Sequence, residues 1–244
     1  MAMIGDRVLE PGEFIEECLA FKRSHSPRSV FLRRLIQGKL SPPELRAWAK
    51  DFYWYVDPAI ASIAAWMANT PTLSGRNLYR LIARNLAGEM GFIKEDDHHD
   101  LYLRFCAGLD ISREEILDGL PSAGTVGAAC AVGHYCRSSF VEGLGAFGLA
   151  VEMELPEQAG VAGVFAKSLG EHYGIDSKAL EFWWVHVEAE DEHGHNAVDA
   201  LRACAQTLEE QALIRRAFRL SVLAHCGMRE GYDGFLQGET APPA

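Results

Sequence analysis

The chain has 244 residues, 48% of them hydrophobic and 23% charged, with a formal net charge of −11 at pH 7. That is enough apolar material for one large domain with a substantial core, and the negative balance argues against nucleic acid, whose phosphates would be repelled. No run of about 18 apolar residues offers a membrane span and the N-terminus lacks a basic, apolar, small-residue leader pattern, so a soluble cytoplasmic protein is expected.

Helical periodicity dominates, with almost no alternating apolar pattern of the kind strands need. Amphipathic segments run from about Pro11 to Ser24 and from Arg28 to Gln37, the second closed by Gly38. Ser41-Pro42-Pro43-Glu44 reads as an N-cap, prolines in the first turn and a capping-box acid, launching a long helix to about Asn69. It carries Trp48, Phe52, Tyr53, Trp54, Tyr55 and Trp66, mostly core by spacing. The next helix runs from about Leu73 to Glu89 and is interrupted at Gly91; another spans Asp96 to Ala107, and Ser112-x-x-Glu115 marks a short one. Helices follow over Thr125–Arg137, Phe140–Glu154 and Gln158–Tyr173, then Ala179–Leu208 and Thr207–Met228. Residues 1–230 are expected to form a single all-α domain, with 231–244 a loose polar tail. The six cysteines, at 18, 106, 130, 136, 204 and 226, include no Cys-x-x-Cys pair and are expected to be reduced thiols.

Six residues carry the chemistry: Glu89, His98, Glu152, His186, Glu190 and His193. Offsets of four and seven bring His186, Glu190 and His193 to within about 40° of one helical direction. The apolar run Phe182-Trp183-Trp184-Val185 before them implies a largely buried helix, where charges need partners. Glu152 is a carboxylate in an otherwise apolar helix end, costly to bury unless hydrogen-bonded, protonated or metal-bound. Glu154, about 200° away, is expected to face water. Glu89 and His98 stand nine residues apart and reach one metal only if the helix breaks between them, as Gly91 and the polar run to Asp97 allow. His99, Glu95 and Asp96 are alternatives to His98. A Glu-x-x-His pair answered by carboxylates and histidine from facing helices is how helical bundles hold two irons, and imidazole with carboxylate favours iron, manganese or zinc over calcium.

Taken together, Asn85-Leu-Ala-Gly-Glu89-Met-Gly91, Asp97-His98-His99-Asp-Leu-Tyr-Leu-Arg-Phe105, Val151-Glu152-x-x-Leu-Pro156-Glu157 and His186-x-x-x-Glu190-x-x-His193 resemble the haem-oxygenase-like diiron oxidases and oxygenases. These are relatives by fold of the TenA thiaminases and of pyrroloquinoline quinone synthase. The resemblance spans about Leu40 to Leu208 and rests on the six ligands appearing in order. It implies a haem-oxygenase-like bundle of about seven to eight helices, with two ferrous ions held by the six residues. Dioxygen is the implied cosubstrate and a small, amino-acid-derived metabolite the substrate, undergoing N-oxygenation or oxidative carbon–carbon cleavage. The fifth ligand, often Asp in the family, is Glu190 here, with Asp191 as an alternative. An external electron donor and a homodimer are expected with it.

Three other readings make different demands. A cofactorless oxidase resembling pyrroloquinoline quinone synthase has no need for Glu152 and Glu190. A TenA-like thiaminase needs a nucleophilic cysteine near Ala150-Val151-Glu152-Met153, where none stands. A non-catalytic helical binding protein would leave the six positions without metal. Candidate pocket residues, chosen as polar or aromatic groups on apolar helices, are Tyr53, Trp54, Tyr55, His134, Arg137 and Lys167.

Overall fold

Proline, glycine and capping residues set the helix ends in the computed structural model, which describes residues 7–25, 28–71, 76–93, 96–153 and 161–236, with only the backbone of 188–198. Helix α1 (Pro11–Ser24) starts on a proline behind a Glu10/Glu13 capping box. Helix α2 (Val30–Ile36) is capped by Ser29, whose hydroxyl accepts from the Leu32 N–H. The expected Ser41/Glu44 capping box opens α3 (Pro42–Val56). That helix stops well short of Asn69, and α4 (Ala59–Ala68) resumes after Pro58. The correction has a local cause, since proline lacks an N–H and its ring collides with the carbonyl four residues back.

Helix α5 (Arg76–Glu89) and α6 (His98–Ala107) are separated at the expected place; the predicted start at Leu73 lies outside the described residues. Gly91 takes φ +71°. The Phe92 N–H donates to the Ala87 carbonyl at 2.8 Å and the Gly91 N–H to that of Gly88 at 2.8 Å. These two bonds form a Schellman cap, which satisfies the last carbonyls of α5 and turns the chain away. Asp97 caps α6 by accepting from the His99 N–H at 2.9 Å.

Helix α7 (Arg113–Leu117) has the expected Ser112/Glu115 capping box, and α8 (Ala123–Ser138) follows from Ser122. The helix expected over Phe140–Glu154 is instead a short α9 (Phe140–Gly143) that widens into a π-helical segment, Leu144–Leu149. All six residues of that segment are buried. Helix α10 (Val161–Tyr173) ends at Gly174, φ +67°. Helix α11 (Glu181–Cys204) ends before Leu208, because Thr207 and Glu210 form the capping box of α12 (Leu208–Gly231).

Twelve α-helices and no strand occur among the described residues. Part of the expected tail is packed: Tyr232–Phe235 forms a 3₁₀ turn with Tyr232 buried. Asp233 accepts from Ser29 Oγ at 2.8 Å and from the N–H groups of Val30 and Phe31, capping α2 from the other end of the chain. Residues 237–244 lie outside the described residues.

The core has two main parts. One gathers Phe14, Ile63, Trp66, Phe147 and Phe218. The other is built on Trp48, which packs against Phe31, Phe52, Phe105, Phe165 and Trp183 at centroid distances of 5.7–6.2 Å. Side-chain burial on this scale contributes about 1.5–3 kcal/mol per large residue. Glycine permits the closest approach: a Cβ on Gly145 would lie 2.4 Å from the Ile214 carbonyl oxygen of α12. No helix among the described residues is long and apolar enough to cross a membrane.

Candidate metal centre

Three chain segments converge on one point. Glu89 is the last residue of α5, His98 the first of α6, and His186 lies in the second turn of α11. One donor atom from each lies within 4.8 Å of the other two. His98 Nδ1 is 2.9 Å from Glu89 Oε2, with the imidazole 8% and the carboxylate 16% exposed. The His98 and His186 rings stand 4.8 Å apart, and Phe182 packs on His186 at 4.5 Å. The Schellman cap makes this possible, since it reverses the chain immediately after Glu89. Arg104 holds the other side of the break, reaching Asp96 at 2.7 Å and Glu181, the first residue of α11, at 2.7 Å.

His186 Nδ1 lies 2.6 Å from the Phe182 carbonyl. A carbonyl only accepts, so Nδ1 carries the proton and the Nε2 lone pair is left for another partner. Burial, then the neighbouring His98, lower the proton affinity of His186. A neutral imidazole with its second nitrogen fixed by a backbone carbonyl is the state in which histidine ligates metal. Two imidazoles and a carboxylate suit iron, manganese or zinc rather than an all-oxygen cation. The residues therefore fit a transition metal.

Glu152 lines the same cavity, and its charge is felt at His186 and at Tyr55. It sits just past the π-helical segment rather than on a helix; the Glu152 N–H donates to the Phe147 carbonyl at 3.1 Å, five residues back. The wider π turn carries the chain past the register an α-helix would give, as happens often at functional sites. The α11 backbone is helical through 190 and 193. The side chains of Glu190, Asp191 and His193 lie outside the described residues, as do Glu95 and Glu154. His99 turns away from the cluster, with Nε2 3.0 Å from the Tyr53 hydroxyl and 3.4 Å from Asp57. Asp96 is taken by Arg104.

The cluster opens into a cavity of about 310 Å³ bordered by both parts of the core. Trp48, Phe52, Phe165, Phe182 and Trp183 give it an aromatic wall. Of the six pocket residues expected from sequence, Tyr55 alone lines it. Tyr53 is bonded to Asp57 and His99, and Trp54 packs edge-on against it. His134 and Arg137 are exposed, and Lys167 faces Glu171 at 3.9 Å on the surface. Sequence reasoning missed the polar residues that join Tyr55 there: Lys22 and His25 from α1 and the segment after it, and His225, Cys226 and Arg229 from α12. The Tyr55 hydroxyl lies 2.6 Å from His225 Nε2, whose Nδ1 is 2.6 Å from the Ser221 carbonyl. Lys22 Nζ donates to the Met153 carbonyl. A signal existed for the α12 pair, because His225 and Arg229 are spaced by four on a helix with apolar neighbours.

Solved structures show what this architecture is. A domain of unknown function with a haem-oxygenase-like fold from Shewanella denitrificans has a TM-score of 0.74 at 14% identity, over 93% of each chain. A TenA homologue from Pseudomonas syringae has a TM-score of 0.71 at 18% identity, over 93% of this chain and 96% of that one. The chain thus has a haem-oxygenase-like fold, as the sequence resemblance implies. It belongs to the family of iron-containing redox enzymes, whose family model matches residues 46–225. Among characterised proteins it is similar to a 4-aminobenzoate synthase from Chlamydia pneumoniae, 26% identical over 179 residues that make up 73% of this chain and 76% of the relative.

Proposed function

We infer that the protein is a non-haem diiron oxidase or oxygenase that uses dioxygen to oxidise a small, amino-acid-derived metabolite in a biosynthetic pathway. The observation that carries this reading is the convergence of Glu89, His98 and His186 in one aromatic-walled cavity. Membership of an iron-containing redox family supports iron as the metal, and the similarity to a 4-aminobenzoate synthase supports a biosynthetic role. Glu152, Glu190 and His193 complete the proposed ligand set, with Asp191 the alternative to Glu190. An external electron donor and a cytoplasmic homodimer belong to the same proposal.

Bound ferrous iron would supply the electrons that reduce dioxygen, chemistry no ordinary side chain provides. Everything else falls to the protein. His186 is presented as a neutral donor by the Phe182 carbonyl, and Glu89 and His98 are fixed by the helix ends on either side of the Schellman cap. The aromatic wall gives the cavity beside the cluster an apolar lining, and Tyr55, held by His225, offers its phenol oxygen to a bound molecule. Ferrous titration of metal-free protein without oxygen, followed by rapid mixing with oxygen, tests the proposal. About two irons per chain and oxygen consumption are expected; a folded protein that takes up no iron would overturn it.

A further inference from the structure

Arg229 has no ion-pair or hydrogen-bond partner among the described residues, yet it lines the cavity. It belongs to the last turn of α12, where a cation complements the helix dipole. That explains a positive charge at this point of the helix, but not one that faces the cavity, since the exposed side of the same turn would serve equally. A guanidinium stays charged at every physiological pH, so it cannot shed the cost of partial burial by losing its proton. The neighbouring groups do not neutralise it. Tyr55 gives its proton to His225, and the Nδ1–H of His225 is committed to the Ser221 carbonyl, so this imidazole is a neutral acceptor. Lys22, the other cation of the cavity, is engaged by the Met153 carbonyl. The carboxylates that line the cavity, Glu89 and Glu152, belong to the proposed metal-ligand set, and neither lies within ion-pair distance of Arg229. A planar, two-pronged cationic donor thus faces the cavity with no anion bonded to it among the described residues.

We propose that Arg229 anchors the carboxylate of the substrate, and hence that the protein acts on a carboxylic acid with an apolar, flat body rather than on a neutral amine or alcohol. The guanidinium matches a carboxylate through two parallel N–H···O bonds, the strongest and most oriented contact available to either group. A cavity of about 310 Å³ with an aromatic wall accommodates an arylalkanoate or an aromatic amino acid. Held at Arg229, such a molecule has its carboxylate fixed and its body against Trp48 and Trp183. This assignment rests on the cavity being the substrate site of the enzyme proposed above.

The test uses 3-phenylpropionate and its amide as probes, followed by quenching of tryptophan fluorescence and by calorimetry, on both iron-loaded and metal-free protein. The acid is expected to bind at least about ten-fold more tightly than the amide in both forms. Arg229→Leu should erase that preference while iron uptake and helix content stay at the wild-type level, and Arg229→Lys should restore part of it. Equal binding of acid and amide, absence of binding by either, or an acid preference that survives Arg229→Leu would each overturn the assignment. A preference that survives Arg229→Leu but vanishes on removing iron would put the carboxylate on the metal instead. Failure of iron uptake with the Arg229-dependent preference intact would sink the diiron reading alone.

Discussion

His186 and His225 use the same device. Each donates Nδ1–H to the carbonyl four residues earlier on its own helix and presents Nε2 to the cavity, one toward Glu89 and His98, the other toward Tyr55. Burial lowers the proton affinity of both, for His225 to about 4. A histidine that titrates near 6.5 when unfolded and near 4 when folded favours the native state above pH 6.5. That advantage is lost as the pH falls toward 4, because the unfolded chain takes up the proton first. Denaturation midpoints should therefore fall between pH 7 and 5, and His225→Asn should lose less over the same interval. His98 and His99 separate in the opposite way. His98→Ala should cost more iron affinity than the roughly ten- to hundred-fold typical of an outer hydrogen-bond partner. His99→Ala should keep the iron and cost about 1 kcal/mol from the lost Tyr53 contact. Metal analysis and urea unfolding of the two variants check both statements. The preference for His98 over His99 was legible only as an ordering in sequence; in the structure the His98 ring lies beside Glu89, while the His99 ring meets the Tyr53 hydroxyl and Asp57.

At the level of elements, the breaks matter more than the helices. Gly91 was readable as an interruption, and the structure adds why glycine is needed: a side chain at φ +71° would be strained. Gly91→Ala should destabilise the fold by about 1 kcal/mol and weaken metal binding, since it loosens the turn between two proposed ligands. Gly145→Ala should cost more, about 3 kcal/mol, because the new methyl meets the rigid Ile214 carbonyl of α12. Thermal or chemical unfolding of both variants tests the order. Pro58 was equally visible in the sequence, yet the aromatic periodicity on either side of it suggested one continuous helix. The π segment left no such mark. Leu144–Leu149 carries two glycines, which weaken an α-helix without specifying a π turn; the wider turn goes with its burial against α12 and the close approach at Gly145. The spacing of His225 and Arg229 was a weak signal for another reason: polar residues four apart on an amphipathic helix ordinarily mark the solvent face.

Across the whole molecule, the all-α architecture and the order of candidate ligands could be taken from periodicity and resemblance, whereas the cavity could not. It is formed by residues from Lys22 to Tyr232 that meet only after the bundle has assembled. The cysteines report on that assembly. Cys18, Cys106 and Cys136 are buried, with burial pushing each thiol up to about 12, while Cys130 is exposed. Maleimide should label Cys130 first in the native protein and reach the three buried thiols only on unfolding, as mass mapping would show.

Glu89, His98 and His186 come from segments up to 97 residues apart in sequence. A single ion shared by them would close two loops in the chain, acting as a removable cross-link whose strength follows the concentration of free metal. Thermal midpoint and resistance to proteolysis should then rise with ferrous iron in solution. A cell short of iron would lose the protein itself, by turnover of opened chains, and not merely its activity.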